Sequence, residues 1–212
     1  MDITWLGHSC FVVKGKQATV VTDPFHNFDS YQLLNPSGNI VTVSHQHEHH
    51  NNTEAVEGKP RVVSGPGEYE VGGVFITGIT TYHDNINGEK AGKNTVFLIE
   101  LDDIRVCHLG DLGHKLSSRQ IEELSNIDVL LVPVGGLTTI NAPVAAEVIN
   151  MLDPEVVIPM HYKTEATSME LEPVDAFLKE MGHKEVIAQP KLAISKSMLS
   201  RDTQLVVLDY SL

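Results

Sequence analysis

Four histidines lie within the six residues of the segment 45–50, His-Gln-His-Glu-His-His. Neutral imidazole nitrogens are good ligands for zinc and similar divalent cations. In an extended chain, residues two apart point to one side, so we expect His45, His47 and His49 to converge. His50 joins them only if the backbone turns, which the two following asparagines favour. The alternatives for this segment alone are a solvated histidine-rich loop or an incidental surface zinc trap.

Three further metal-binding side chains stand alone in the sequence. His83 follows an apolar run, Asp111 follows another with Gly110 before it, and His161 comes directly after a third. Chain segments that end strands at one edge of a sheet are the usual place for functional side chains. The joint occurrence of these residues and the histidine segment predicts a metal site assembled at one edge of the fold.

The elements that must position these residues are mostly short strands. They are rich in Val, Ile, Thr and Phe and bounded by Gly, Pro, Asn or Asp. We predict strands at residues 3–6, 11–13, 19–22, 40–43, 61–63, 74–77, 95–101, 105–108, 129–134, 156–159 and 204–209.

The predicted helices all come after residue 110. Ser117 and Gln120 form a capping-box pattern that opens a helix over residues 118–124. A second helix follows the N-cap residue Asn141 and ends near residue 152, and a third covers residues 173–181. Strands in the first half and alternating strands and helices afterwards favour an α/β sandwich of two packed sheets with helices outside.

Composition limits the classes of partner. The length of 212 residues suits one globular domain spanning 1–212. The net charge is −13, from 15 basic and 28 acidic residues, and no basic cluster is present, which argues against an extended nucleic-acid footprint. We therefore expect a small-molecule substrate, while the oligomeric state stays open.

No run approaches the roughly 18 apolar residues of a membrane span, and the N-terminus lacks the pattern of a signal peptide. We expect a cytoplasmic protein without membrane association. The two cysteines, Cys10 and Cys107, each lie in an apolar run and are expected to be buried free thiols.

The order of these residues carries a family resemblance. His-x-His-x-x-His, a lone His, Gly-Asp and a strand-terminal His together resemble the metallo-β-lactamase superfamily. Residues 6–11 (Leu-Gly-His-Ser-Cys-Phe), 65–70 and 133–136 resemble a narrower branch, the small stand-alone bacterial hydrolases similar to the ascorbate-phosphate lactonase and the phospholipase-D-like metallo-enzymes. The resemblance covers nearly the whole chain. It implies a four-layer αββα sandwich with metals at one rim.

The resemblance also implies a set of metal ligands. It places His45, His47 and His83 on a first metal, His50 and His161 on a second, and Asp111 between the two. Asp23 resembles the family's early Asp, which supports the metal loop without binding metal.

Two histidines receive catalytic roles by the same resemblance. His49 stands where the family normally has an Asp that binds the second metal and holds the attacking hydroxide. An all-histidine second site, a single-metal enzyme and a weakened site are all open, and His49 itself is a candidate to position the hydroxide or relay a proton. His8 is a candidate at the rim, as a substrate contact or a donor that orients a ligand, with a structural role as the alternative.

The implied function is a hydrolase that uses a metal-activated hydroxide on a small ester, lactone or phosphoester. The alternatives are a phosphodiesterase or nuclease of the same fold, and a non-catalytic metal-binding protein whose second site is altered at His49. Zinc, one or two ions, is the expected cofactor because the candidate ligands are imidazoles and carboxylates, with manganese or iron also open.

Overall fold

The computed structural model of this chain describes residues 1–200 and 202–210. Its strands are β1 Asp2–Gly7, β2 Cys10–Lys14, β3 Thr19–Thr22, β4 Ile40–Val43, β5 Arg61–Ser64, β6 Gly67–Val71, β7 Val74–Tyr82, β8 Lys93–Leu101, β9 Ile104–His108, β10 Val129–Pro133, β11 Val156–Met160, β12 Leu192–Ala193 and β13 Gln204–Leu205. The α-helices in this part of the chain are α1 Ser118–Glu123, α2 Ala142–Leu152 and α3 Val174–Glu180. Short 3₁₀ helices span Thr53–Ala55 and Lys196–Met198.

The strands form two sheets. The first has six strands in the order β12-β1-β2-β3-β4-β5, and the second has seven in the order β13-β11-β10-β9-β8-β7-β6. Both sheets mix parallel and antiparallel pairs. This arrangement confirms the predicted α/β sandwich.

The first sheet buries both of its faces. Phe11, Val20 and Ile40 enter the large hydrophobic cluster that also contains the second sheet. Their sequence neighbours Val21 and Val41 belong to a separate cluster, because successive strand residues point to opposite faces. That second cluster is completed by side chains from the loop after β3 and from the 3₁₀ turn: Phe25, Tyr31, Leu33, Ala55 and Val56. On this side the outer layer is therefore made of loop and 3₁₀ turn.

The three α-helices cover the second sheet. Helices α1 and α2 are the crossovers between the parallel neighbours β9, β10 and β11, which places both helices on the same face. Helix α2 buries Ala145, Val148 and Ile149 in the large cluster. Among the described residues, no helix is both long and apolar enough to cross a membrane.

Strand direction brings the functional segments to one rim. In the first sheet β1 and β3 point the same way, since both are antiparallel to β2, and β4 is parallel to β3. In the second sheet β7 and β9 point the same way, since both are antiparallel to β8, and β11 follows them through β10. The two rims are joined where His161 N donates to His8 O at 3.1 Å and Thr95 N donates to Ser44 O at 2.8 Å.

Most predicted elements are present, including the Ser117–Gln120 capping box and the Asn141 N-cap. Strand β7 is longer than predicted, and the predicted strand 204–209 is limited to Gln204–Leu205, where pairing with β11 ends. Strand β6 was missed because it is an edge strand with no buried residue and so lacks an apolar alternation. That residues 1–212 form one domain stays a prediction.

At Gly135 the chain after β10 packs closely against the chain after β11. A Cβ at this position would overlap the carbonyl oxygen of His161, which accepts a hydrogen bond from Gly135 N. We expect Gly135→Ala to lower the free energy of unfolding by about 1–3 kcal/mol, as overpacking does, measured by urea denaturation.

The matched control is Gly65→Ala, where the new Cβ would meet no atom within 4 Å but the φ of +84° is strained. This control should cost about 1 kcal/mol. A Gly135→Ala protein as stable as the wild type would contradict the close approach of Gly135 and His161.

Candidate metal centre

The histidine segment after β4 is folded into bends and a turn. His47 N donates to His45 O at 3.1 Å, and His50 N donates to His47 O at 2.8 Å. The ligand nitrogens of His45, His47 and His50 consequently lie within 4.8 Å of one another. The extended conformation expected from the sequence is therefore wrong beyond residue 44. The turn places His50 beside His45 and His47, where the side-chain alternation of an extended chain had predicted His49.

His49 lies at the edge of this group, with 4.8 Å between the centroids of its ring and the His47 ring. Its ring stacks on Phe28, with 3.9 Å between ring centroids and 19° between planes. Among the described residues, three groups of side chains are close enough to share a metal ion, and none includes His49. The metal-ligand and catalytic roles of His49 stay predictions that this geometry does not favour.

Asp111 lies at the centre of the site. Its Oδ2 atom is 3.2 Å from His50 Nε2, 3.1 Å from His83 Nε2 and 3.4 Å from His161 Nε2. These three imidazoles come from the loop after β4, from the end of β7 and from the end of β11. One carboxylate oxygen thus faces three nitrogens from distant parts of the sequence.

The surroundings of Asp111 fix its orientation. The side chain is buried, Ser9 Oγ donates to Oδ1 at 3.3 Å, and the Asp111 backbone N–H donates to Asn94 Oδ1 at 3.0 Å. Burial by itself would raise the pKa of Asp111, but His161 and His50 hold that pKa well below its ordinary value. Asp111 is therefore an ionised carboxylate inside the protein.

Asp23 holds the segment 45–50 in place through hydrogen bonds. Its carboxylate accepts hydrogen bonds from Ser44 N at 2.8 Å, Ser44 Oγ at 2.5 Å and His50 Nδ1 at 2.8 Å. Because Nδ1 of His50 donates to Asp23, its Nε2 is the nitrogen directed at Asp111. This is the carboxylate–histidine arrangement that orients metal-ligating histidines, and it agrees with the supporting role expected for Asp23.

His45 follows β4 of the first sheet and His83 follows β7 of the second sheet, and both lie beside Asp111. They form one possible metal-binding group with Asp111, and the His83 ring is oriented by its Nδ1–H donating to Thr138 O at 3.0 Å. Burial lowers the pKa of His45 to about 4. His45 is therefore neutral at physiological pH, the form in which imidazole binds metals.

His8 is buried next to His50 and His161, with only 3% of the residue exposed. The three rings lie close together, with centroids 4.9 Å from His8 to His50 and 4.2 Å from His8 to His161. Burial, and then the neighbouring His161 and His50, lower the pKa of His8 well below its ordinary value. His8 thus lies at the metal-site rim but is buried among the candidate ligands, and its role as a substrate contact or orienting donor stays a prediction. The rule that pointed to His161, a histidine directly after a strand, also applies to His8 after β1.

Two other histidines have structural roles. His108 is buried, with Nε2 donating to Ser9 O at 2.8 Å and Nδ1 accepting from Gly110 N at 3.3 Å. His114 Nδ1 donates to Lys115 O, while its Nε2 accepts from Tyr82 N. Each ring has both nitrogens occupied by backbone groups, so neither is free to bind metal.

The donor set fits a divalent metal. Six imidazoles and one ionised carboxylate converge without a thiolate: His8, His45, His47, His50, His83, His161 and Asp111. Buried polar atoms normally have hydrogen-bond partners, yet the buried Nδ1 of His161 has none among the described residues. Imidazole nitrogens that surround a carboxylate and have few hydrogen-bond partners of their own are typical of metal ligands.

Known proteins resemble this chain in both sequence and structure. A family model described as β-lactamase superfamily domain matches residues 2–161. A solved structure from Thermotoga maritima, described as a Zn-dependent hydrolase of the metallo-β-lactamase superfamily, is 41% identical, covers 99% of both chains and has a TM-score of 0.82. A UPF0173 metal-dependent hydrolase of Thermoplasma acidophilum is 30% identical over 77% of this chain and 84% of its own length. The metallo hydrolase Igni18 of Ignicoccus hospitalis, 20% identical, shares the fold with a TM-score of 0.66, over 92% of this chain and 99% of its own.

The chain belongs to the metallo-β-lactamase superfamily. The predicted superfamily and sandwich fold are confirmed, and the predicted metal-dependent hydrolase class is confirmed at the level of the family. The narrower likeness to the ascorbate-phosphate lactonase branch stays a resemblance.

Asp23 offers a test of the site that leaves every candidate ligand in place. Asp23→Asn removes the charge that holds Nδ1 of His50. We expect metal affinity to fall by about 10–100-fold, the usual effect of losing a partner that orients a ligand, measured by competition with a chromophoric chelator.

The control is Asp128→Asn, another buried aspartate, which pairs with Lys196 away from the site. This variant should lose stability and keep the wild-type metal affinity. Equal affinity in the Asp23→Asn and wild-type proteins would contradict the role given to Asp23.

Proposed function

We propose that this protein is a dinuclear metal-dependent hydrolase that acts on a small ester, lactone or phosphoester. In this proposal His45, His47 and His83 hold one metal, His50 and His161 hold the other, and Asp111 is shared. The observation that carries it is the single Asp111 oxygen facing Nε2 atoms of His50, His83 and His161 at 3.1–3.4 Å.

Different residues of the chain have different roles in the proposed hydrolysis. Divalent cations, when bound, supply a water of lowered pKa and positive charge near the developing oxyanion. Asp111 balances that charge from the buried side, and Asp23 keeps His50 in the orientation that faces Asp111. His47 is exposed, whereas His50 and His161 are buried, so the site is open to solvent at His47.

The surface beside His83 supports a small substrate. A cavity of about 300 Å³ is lined by His83, Asp84 and Thr138, and it shares Asn85 and Leu137 with a neighbouring cavity of about 550 Å³. Volumes of this size match sites for small molecules. Lys115 lines the larger cavity but is paired with Glu147, so both neutral lactones or esters and phosphoesters are offered in the substrate screen.

Zinc is the metal we propose. The candidate ligands are imidazoles and one carboxylate, and neither of the two buried cysteines belongs to a group of possible metal ligands among the described residues. Such a nitrogen and oxygen set suits zinc, and manganese or iron are the alternatives that reloading experiments separate.

A substrate screen tests the function. The protein is stripped with a chelator, reloaded with zinc, manganese or iron, and offered lactones, nitrophenyl esters, phosphomonoesters and phosphodiesters. We expect hydrolysis of one class, lost with the metal and restored by it. Asp111→Asn should lower kcat by about a hundredfold or more, since it removes a charged group at the reacting centre.

The control variant is Asp128→Asn, which should keep the wild-type kcat because Asp128 lies away from the site. Phosphodiester cleavage alone would favour a phosphodiesterase or nuclease. Inactivity of every metal-loaded form, relieved by His49→Asp, would overturn the proposal in favour of a non-catalytic metal-binding protein.

A further inference from the structure

His8 belongs to the same cluster of donor atoms as two proposed ligands. One nitrogen of His8, one of His50 and a carboxylate oxygen of Asp111 all lie within 4.8 Å of one another. The His8 ring is also packed against His161, with 4.2 Å between centroids. His8 is thus next to each of the three groups proposed to hold the second metal.

The backbone holds His8 in this position. His8 follows β1 with a φ of +52°, a left-handed conformation that directs the chain sharply out of the strand. Its carbonyl oxygen accepts hydrogen bonds from Trp5 Nε1 and from His161 N, both at 3.1 Å. Trp5 is 1% exposed and anchored in the core, so the His8 ring is placed without a hydrogen bond of its own.

A packed structural histidine is the alternative explanation, and His108 shows what that looks like in this protein. His108 is fully buried, and both of its ring nitrogens are hydrogen-bonded to backbone atoms. The ring of His8 is almost as buried, yet among the described residues it makes no such hydrogen bond. Its neighbours are Phe28, other imidazoles and the carboxylate of Asp111. The ring nitrogens of His8 are therefore available to a bound metal ion, whereas those of His108 are not.

We propose that His8 is a ligand of the second metal, together with His50, His161 and Asp111. This rests on the proposed dinuclear site and names a ligand that the site otherwise lacks. His8 then takes the place that the family resemblance gives to position 49. His49, stacked on Phe28 at the surface, forms part of the wall of the site and holds no metal.

Metal content per chain tests this assignment. Wild type, His8→Gly and His49→Ala are stripped, saturated with zinc, freed of excess by gel filtration and measured by mass spectrometry. Glycine suits the positive φ of residue 8, so His8→Gly removes the ring without adding backbone strain. His183→Ala, at an exposed histidine beyond α3, is the matched control.

We expect about two zinc ions per chain for wild type, His49→Ala and His183→Ala, and about one for His8→Gly, which loses a ligand of a two-metal site. Added imidazole should restore part of the second equivalent in His8→Gly by filling the space of the missing ring. If circular dichroism shows that His8→Gly does not fold, His8→Asn replaces it, because asparagine also accepts a left-handed conformation.

Two zinc ions in the folded His8 variant would overturn the assignment, and so would the loss of one from His49→Ala. A wild-type chain that takes up one zinc or none would overturn it as well, because no second metal would be present for His8 to hold. A wild type with fewer than two zinc ions would also remove the dinuclear part of the proposed function, whereas the results with the His8 and His49 variants leave that function untouched. A wild type with two zinc ions that hydrolyses no substrate would refute the hydrolase and leave the His8 assignment intact.

Discussion

The ionised carboxylate of Asp111 is the constraint on which this structure depends. A buried charge is costly unless opposite charge and hydrogen bonds surround it. Here three imidazole nitrogens face Oδ2, and Ser9 Oγ and Asn94 Oδ1 fix the side chain and backbone of Asp111. The arrangement requires segments more than a hundred residues apart in sequence to meet at one point, and the two-sheet sandwich achieves this.

The sandwich supplies the meeting point through strand direction and sharp turns. His8 after β1, Asp23 after β3 and His161 after β11 all adopt left-handed backbone conformations, with φ of 52°, 40° and 52°. Such conformations cost about 1–3 kcal/mol each in residues other than glycine. They occur directly beyond buried strands, where hydrogen bonds such as His161 N to His8 O hold them. The packing of the core therefore compensates for the backbone strain at these three residues, whose conformations direct the side chains toward one another.

The sequence allowed much of this site to be predicted, and the exceptions have physical reasons. The sequence pointed to His83 and His161 because each directly follows a strand, and to Asp111 because it comes three residues after β9; such ends meet at one edge of a sheet. Strand periodicity predicted that His49 converges with His45 and His47, but the chain leaves the strand after Val43 and turns, so the roles of His49 stay predictions. His8 was a candidate on resemblance alone, because nothing near it in sequence shows that Trp5 and His161 hold its carbonyl. Local patterns identify strand ends, whereas the pairing of side chains across two sheets depends on tertiary contacts that the sequence does not display.

Crystals of the wild-type protein grown with zinc, with anomalous diffraction collected above and below the zinc absorption edge, test the central claim most directly. The account predicts two anomalous peaks on either side of the Asp111 carboxylate, each at zinc–oxygen distances of about 2.0–2.2 Å. Anomalous peaks found only at other histidines of the surface, with none beside Asp111, would contradict it.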